Sequence, residues 1–134
     1  MTILVTDTGF AADDWTGPIV AVHAAANDIT ALDLPPDTQP DAVPLHPGLH
    51  MIRVEFPSFA DGRGFTIARQ LRLRGYTGRL RARGHVLSDQ YAMARRAGFD
   101  EVEISNDLAA RQPEAEWLAR ANWQDHCYQS RLRG

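Results

Sequence analysis

The chain of 134 residues contains no lysine: all 14 of its basic residues are arginine. The positive charge is therefore carried only by planar guanidinium forks, which suit bidentate pairing with carboxylates and small oxyanions. Cysteine is nearly absent as well. With Cys127 as the sole thiol, an intrachain disulfide, a CxxC redox pair and a cysteine-built cluster are excluded, and a reducing cytoplasm is the expected setting. Long apolar runs are missing too. The opening stretch MTILVTDTGFAADDW has neither a basic leader nor a continuous apolar segment, so neither a secretory signal nor a membrane anchor is expected. There is no surplus of positive charge: a formal net charge of -3 argues against a nucleic-acid binder. No phosphate loop, complete GxGxxG, GxSxG or HExxH occurs, which removes the usual support for nucleotide-dependent chemistry and acyl transfer.

What is present is an ordinary globular composition, 44% apolar and 23% charged, in a chain of single-domain size. The single α/β domain divides by its punctuation. Residues 1 to 49 hold short apolar runs, Ile3 to Val5, Ile19 to Val22 and Ile29 to Leu34, interrupted by Pro35, Pro36, Pro40, Pro44 and Pro47. These read as short strands or edge pieces joined by loops. Residues 50 to 134 are regular. HMIRVEF alternates with period two, a helical pattern follows Gly64, GRLRARG alternates again, a second helix closes at Gly98, and Glu101 to Ile104 makes a third strand. Ser105, Asn106 and Asp107 then lead into a last helical region that Pro113 restarts. Successive βα units predict a parallel sheet with right-handed crossovers, either open or closed into a partial TIM-like barrel.

The pleat puts Ile52, Val54, Phe56, Leu80, Ala82, Val102 and Ile104 on one face, under the helices. The other face is charged, with Arg53 and Glu55 on the first strand, Arg79, Arg81 and Arg83 on the second, and Glu101 and Glu103 on the third. If strands pair in chain order, arginines lie between rows of glutamates. That face is either a solvated layer of structural ion pairs or the lumen of an incomplete barrel in which Arg81 and Arg83 hold an anion or a partner chain. In both cases Arg81 is expected to be buried against Glu55 or Glu103.

Functional loops of such sheets lie beyond the carboxyl ends of the strands. There the chain offers PSFADGRG, GHVLSDQ and SND. Asp61 stands where a carboxylate caps a helix, while Gly62 and Gly64 could form an anion nest with the helix N-terminus. Arg63 opposes the helix dipole, a conflict that an anion or a carboxylate from elsewhere would remove. In the second loop Ser88 or Asp89 is expected to cap the next helix, Gln90 joins the rim, and His85 is the side chain that titrates near neutral pH. Asp125, His126 and Cys127 are adjacent rather than spaced as ligands, so no metal site is expected. Phe56, Phe59, Tyr91 and Phe99 are assigned to the core, and Trp117 and Trp123 to docking the last helix.

The segment FPSFADGRGFTIARQLRLRGYTGRLRARGHVLSDQYAMARRAGFDEVEI resembles the bacterial DUF934 family, whose pattern runs FPxF, DGRG, a helix with LR, a GELRA-like strand, a GDVLxDQ loop and an RxGF ending. The likeness covers residues 50 to 104, and CYQSR is similar to the family's closing YQ. Phe56, Pro57, Phe59, Asp61, Gly62, Arg63, Gly64, Arg81, Asp89 and Gln90 carry the pattern. Arg79 and His85 depart from it. Members are commonly encoded beside genes of assimilatory sulfite reduction, so the resemblance implies a role in sulfur assimilation. The first expectation is an accessory protein that binds a small oxyanion, or docks on sulfite reductase, through Gly62, Arg63, Gly64, Arg81 and Gln90. The second is a small enzyme of the same pathway, described for the family as an oxidoreductase, with Asp61, Asp89 or His85 as acid or base. The third is a structural homodimer formed through an exposed sheet edge. No cofactor is expected, because a redox enzyme needs a carrier and the chain has no flavin or nicotinamide motif.

Overall fold

The computed structural model describes residues 2–22 and 28–124. Seven strands form one sheet among them: β1 (Thr2–Thr6), β2 (Gly9–Ala11), β3 (Val20–Ala21), β4 (Ala31–Leu34), β5 (Met51–Phe56), β6 (Arg79–Gly84) and β7 (Glu101–Ser105). The helices are α1 (Arg63–Leu73), α2 (Tyr91–Ala97), α3 (Asn106–Arg111) and α4 (Glu114–Leu118). None is long and apolar enough to cross a membrane. The strand order is β2-β1-β7-β6-β5-β4-β3, with β3 to β7 parallel and the β1–β2 hairpin added antiparallel along β7. The sheet is open. β2 and β3 are its two edges, so the alternative of a partial barrel is not realised.

Because β5, β6 and β7 succeed one another in a single direction, right-handed crossovers place α1 and α2 on the same face. Ile67, Ala68 and Leu71 of α1 pack there with Ile52, Val54, Leu80 and Ala82, while Tyr91, Ala94 and Phe99 extend the core toward Ile104 and Trp117. One-sided winding explains the alternating strands: only one face of β5 to β7 meets a helix, so only alternate residues are apolar. The short N-terminal runs form short strands as expected, with β3 at an edge and β1 and β4 inside the sheet. β4 is an interior strand between β5 and β3, and Pro35 and Pro36 follow its last residue rather than interrupting it.

The opposite face is crossed by residues 12–19, which carry the chain from β2 at one edge to β3 at the other. Six strand spacings of about 4.8 Å amount to about 29 Å, and nine residue steps from Ala11 to Val20 reach about 30–32 Å when extended. The strap is therefore nearly straight, and its side chains are laid directly on the charged strands.

Local chemistry sets the helix ends as expected from the sequence. Gly75 and Gly98 take left-handed backbone conformations after α1 and α2. The Ser105 hydroxyl accepts the Leu108 N–H to cap α3, and Pro113 precedes α4. At Gly64 the requirement is space. A Cβ there would lie 2.4 Å from the Phe56 ring, which is itself wedged against Phe65 and Phe99. Gly64→Ala adds the better helix former, worth about 1 kcal/mol in isolation, yet overpacks the α1–β5 contact. The expected net result is a loss of about 1–3 kcal/mol in urea unfolding; an unchanged or higher midpoint would show that α1 is not held against Phe56.

Candidate functional site

Register aligns the charged side chains in two rows. Asp33, Arg53, Arg81 and Glu101 face one another across β4 to β7, and Glu55, Arg83 and Glu103 form the next row toward the carboxyl ends. Arg53 and Arg81 are thus like-charged neighbours. They are reconciled by one oxygen, Glu103 Oε1, which accepts from Arg53 Nη1 at 3.2 Å and from Arg81 Nη1 at 2.8 Å. Arg53 also forks onto Asp33, at 3.1 and 3.2 Å.

Arg81 is fully buried, as expected, and contacts Glu103 rather than Glu55. Its Nε donates to Glu101 at 2.6 Å, and the strap's Asp13 takes Nη1 and Nη2 at 3.1 Å each. Beside it, Arg79 bonds Glu101 and Asp14. Burial alone would lower the pKa of Arg81, but the hydrogen bonds it donates to Asp13, Glu103 and Glu101 raise it. Burial likewise pushes the Asp13 carboxyl up, and the bonds from Arg81 and from the Trp15 N–H outweigh this, holding it below the usual carboxylate range. With its donors committed to three carboxylates, Arg81 is a structural pin and offers nothing to an external anion.

The DGRG loop resolves differently from the expectation. Asp61 accepts the Arg63 backbone N–H at 3.1 Å and pairs bidentately with its guanidinium at 3.0 and 2.7 Å. These bonds keep Asp61 below the normal carboxylate range. The conflict of Arg63 with the helix dipole is therefore answered by a carboxylate two residues away, without a ligand. Gly62 has an ordinary negative φ of -94°, and Gly64 serves packing, so the pair does not form a nest.

In the second loop, Gln90 spends its amide on the scaffold: Oε1 accepts the Leu87 N–H at 2.8 Å, and Nε2 donates to the Phe59 carbonyl at 3.1 Å. Gln90, rather than Ser88 or Asp89, satisfies the start of that helical segment and ties the two loops together. Asp89 is exposed and paired with Arg120. Phe59, assigned to the core from sequence, is exposed, and its ring meets His85 edge-on at 5.1 Å. Tyr91, Phe56 and Phe99 are core as expected, and Trp117 anchors α4 in the same core. Trp123 donates to Asp7, which also accepts from Tyr91 and Arg95. Asp125, His126 and Cys127 lie outside the described residues.

A cleft of about 310 Å³ opens at the carboxyl ends of the parallel strands, on the charged face. Glu55 and Phe56 line it from β5, Arg83 and His85 from the end of β6, and Glu103 and Ser105 from β7. Arg83 differs from the other arginines of the sheet. Its nearest carboxylate oxygens, on Glu55 and Glu103, are 3.9 and 3.7 Å away, its side chain is 40% exposed, and among the described residues it makes no hydrogen bond. His85 shares the Phe56 carbonyl between its backbone N–H and Nδ1. A carbonyl only accepts, so Nδ1 carries the proton and Nε2 of the neutral ring is an acceptor. The backbone is also set for the cleft: Gly84 has φ +115°, and a Cβ there would lie 2.6 Å from the Phe56 carbonyl oxygen.

Of the expected rim segments, Pro57, Gly84, His85 and Ser105 line this cleft, together with Arg83 from the charged face; Asp61, Gly62, Arg63, Gly64, Arg81, Asp89 and Gln90 do not. Sequence periodicity put Arg81 and Arg83 on one face but could not say which the strap covers. Asp13 and Asp14 were missed altogether; their adjacency just after a hairpin was the available signal. Among known proteins, residues 31–134 match the model of a family described as a bacterial protein of unknown function, DUF934. No curated protein and no solved structure matches the chain.

Removing Arg81 would leave the buried Glu101 and Glu103 side by side with only Arg79 and Arg53 as hydrogen-bond partners among the described residues. Arg81→Ala is expected to cost about 3–5 kcal/mol in denaturant unfolding, and a loss under about 1 kcal/mol would show that the strap's ion pairs are incidental. Asp13 has a depressed folded pKa, so its contribution is present above the unfolded value of about 3.9 and is lost as pH falls through the folded one. Below about pH 4 the wild type should therefore lose stability more steeply than Asp13→Asn; coincident slopes would contradict the pairing.

Proposed function

The chain belongs to the bacterial DUF934 family, and on that premise we propose that it is an accessory protein of sulfite reduction whose carboxyl-end cleft binds an oxyanionic group. The pathway rests on the family resemblance. The binding role rests on one observation: among the described residues Arg83 makes no hydrogen bond and presents its guanidinium to an open cleft, only loosely paired with Glu55 and Glu103, while its neighbours Arg53, Arg79 and Arg81 are locked to carboxylates. A planar fork held this loosely is suited to a sulfo, carboxylate or phosphoryl group. Its position agrees with the rule that open α/β sheets bind at the carboxyl ends of their strands. Arg63, the earlier candidate, is less suited because Asp61 already occupies its fork.

The reading is tested by thermal unfolding with sulfite, sulfate, phosphate and acetate, against chloride at matched ionic strength, in wild type and Arg83→Gln. A ligand at about 100 times its Kd adds roughly 2.7 kcal/mol to the native state. A rise with an oxyanion that disappears in Arg83→Gln is expected, together with co-purification with sulfite reductase at micromolar concentration. No rise with any anion would remove the binding role, and clean failure to associate would remove the accessory role.

A further inference from the structure

We infer that the cleft takes a zwitterion, a small α-amino acid, with Arg83 receiving its carboxylate and Glu55 its ammonium group. The inference rests on the reading of Arg83 as an oxyanion-group site and specifies what carries that group. Glu55 Oε1 lies 3.9 Å from Arg83 Nη1, the Glu55 side chain is 41% exposed, and among the described residues it makes no hydrogen bond. A charged donor and a charged acceptor thus stand side by side with their bonding capacity unspent. In an α-amino acid the two charges are carried on a single carbon, which presents them at the same close spacing.

Net charge favours the zwitterion over a bare anion. The helix-free face carries Arg53, Arg79, Arg81 and Arg83 against Asp13, Asp14, Asp33, Glu55, Glu101 and Glu103, four positive groups to six negative. A bare anion entering the cleft meets a surplus of negative charge, whereas a zwitterion adds none and places its cation beside Glu55. His85 points to the same chemistry. With Nδ1–H committed to the Phe56 carbonyl, the neutral ring offers only an acceptor, and Glu55 and Glu103 are acceptors also. The cleft therefore has one strong donor group and several acceptors, which matches a ligand with one anionic end and one N–H-rich end. The exposed Pro57 supplies apolar lining, and about 310 Å³ is at the small end of ligand cavities.

The probes are L-alanine, propionate, which lacks the ammonium, and ethylamine, which lacks the carboxylate, each titrated into the full ¹⁵N-labelled chain with shifts followed by NMR. L-Alanine is expected to bind about tenfold more tightly than propionate, the order of one charge-assisted hydrogen bond, and ethylamine not at all. E55Q should reduce L-alanine to the propionate level without affecting propionate, and R83Q should abolish both. Among the described residues neither side chain makes a hydrogen bond, so the variants are expected to retain the wild-type spectrum elsewhere. Equal affinity for L-alanine and propionate would overturn the zwitterion while leaving the oxyanion-group reading intact. Absence of binding by every anionic probe, sulfite included, or binding unchanged in R83Q, would overturn both.

Discussion

The structure turns on one buried guanidinium. Arg81 sits at the centre of a parallel sheet with no exposed surface, and taking its charge out of water is tolerable only because three carboxylates accept its hydrogen bonds. Glu101 and Glu103 come from the adjacent strand, but Asp13 must be brought from the far side of the sequence. That need accounts for the strap, which in turn joins the two edges of the sheet and covers the face that no helix reaches. Side-chain chemistry on β6 and the path of residues 12–19 are thus one constraint.

Glu103 connects this pin to the cleft. One of its oxygens is shared by Arg53 and Arg81, and the other is the nearer carboxylate partner of Arg83. The same side chain therefore belongs to a rigid interior network and to the wall of an open site. Arg83 is held near the cleft by attraction across 3.7 and 3.9 Å without being fixed by hydrogen bonds. A charge placed by a stiff scaffold and left unbonded is what a recognition site needs.

Much of the fold was legible because β5 to β7 alternate with strict period two and are separated by capped helices. The apolar and charged faces, the burial of Arg81 and the adjacency of β5, β6 and β7 follow from that pattern. Three features did not. An open sheet and a partial barrel produce the same local alternation, and only the antiparallel addition of β1 along β7, a pairing across about a hundred residues, decides between them. The strap has no periodicity, so Asp13 and Asp14 read as loop acids. The pairing of Arg63 was a third: Arg63 was judged against the helix dipole, while Asp61, two residues back, satisfies it through a turn whose geometry the sequence does not encode in its spacing. Phe59 shows the limit of reading aromatics as core when they fall in a loop.

The pairing of Ile3 with Ile104 also has a consequence in time. β1 leaves the ribosome about a hundred residues before β7 exists, and at about 5–20 residues per second that interval is roughly 5–20 seconds. Through that interval the apolar pair Leu4 and Val5, fully covered in the finished protein, has no sheet to join. A strand made long before its partner is among the last to find its place, and the nascent hairpin must stay soluble on its own chemistry, with Thr2, Thr6, Asp7 and Thr8 around its apolar centre.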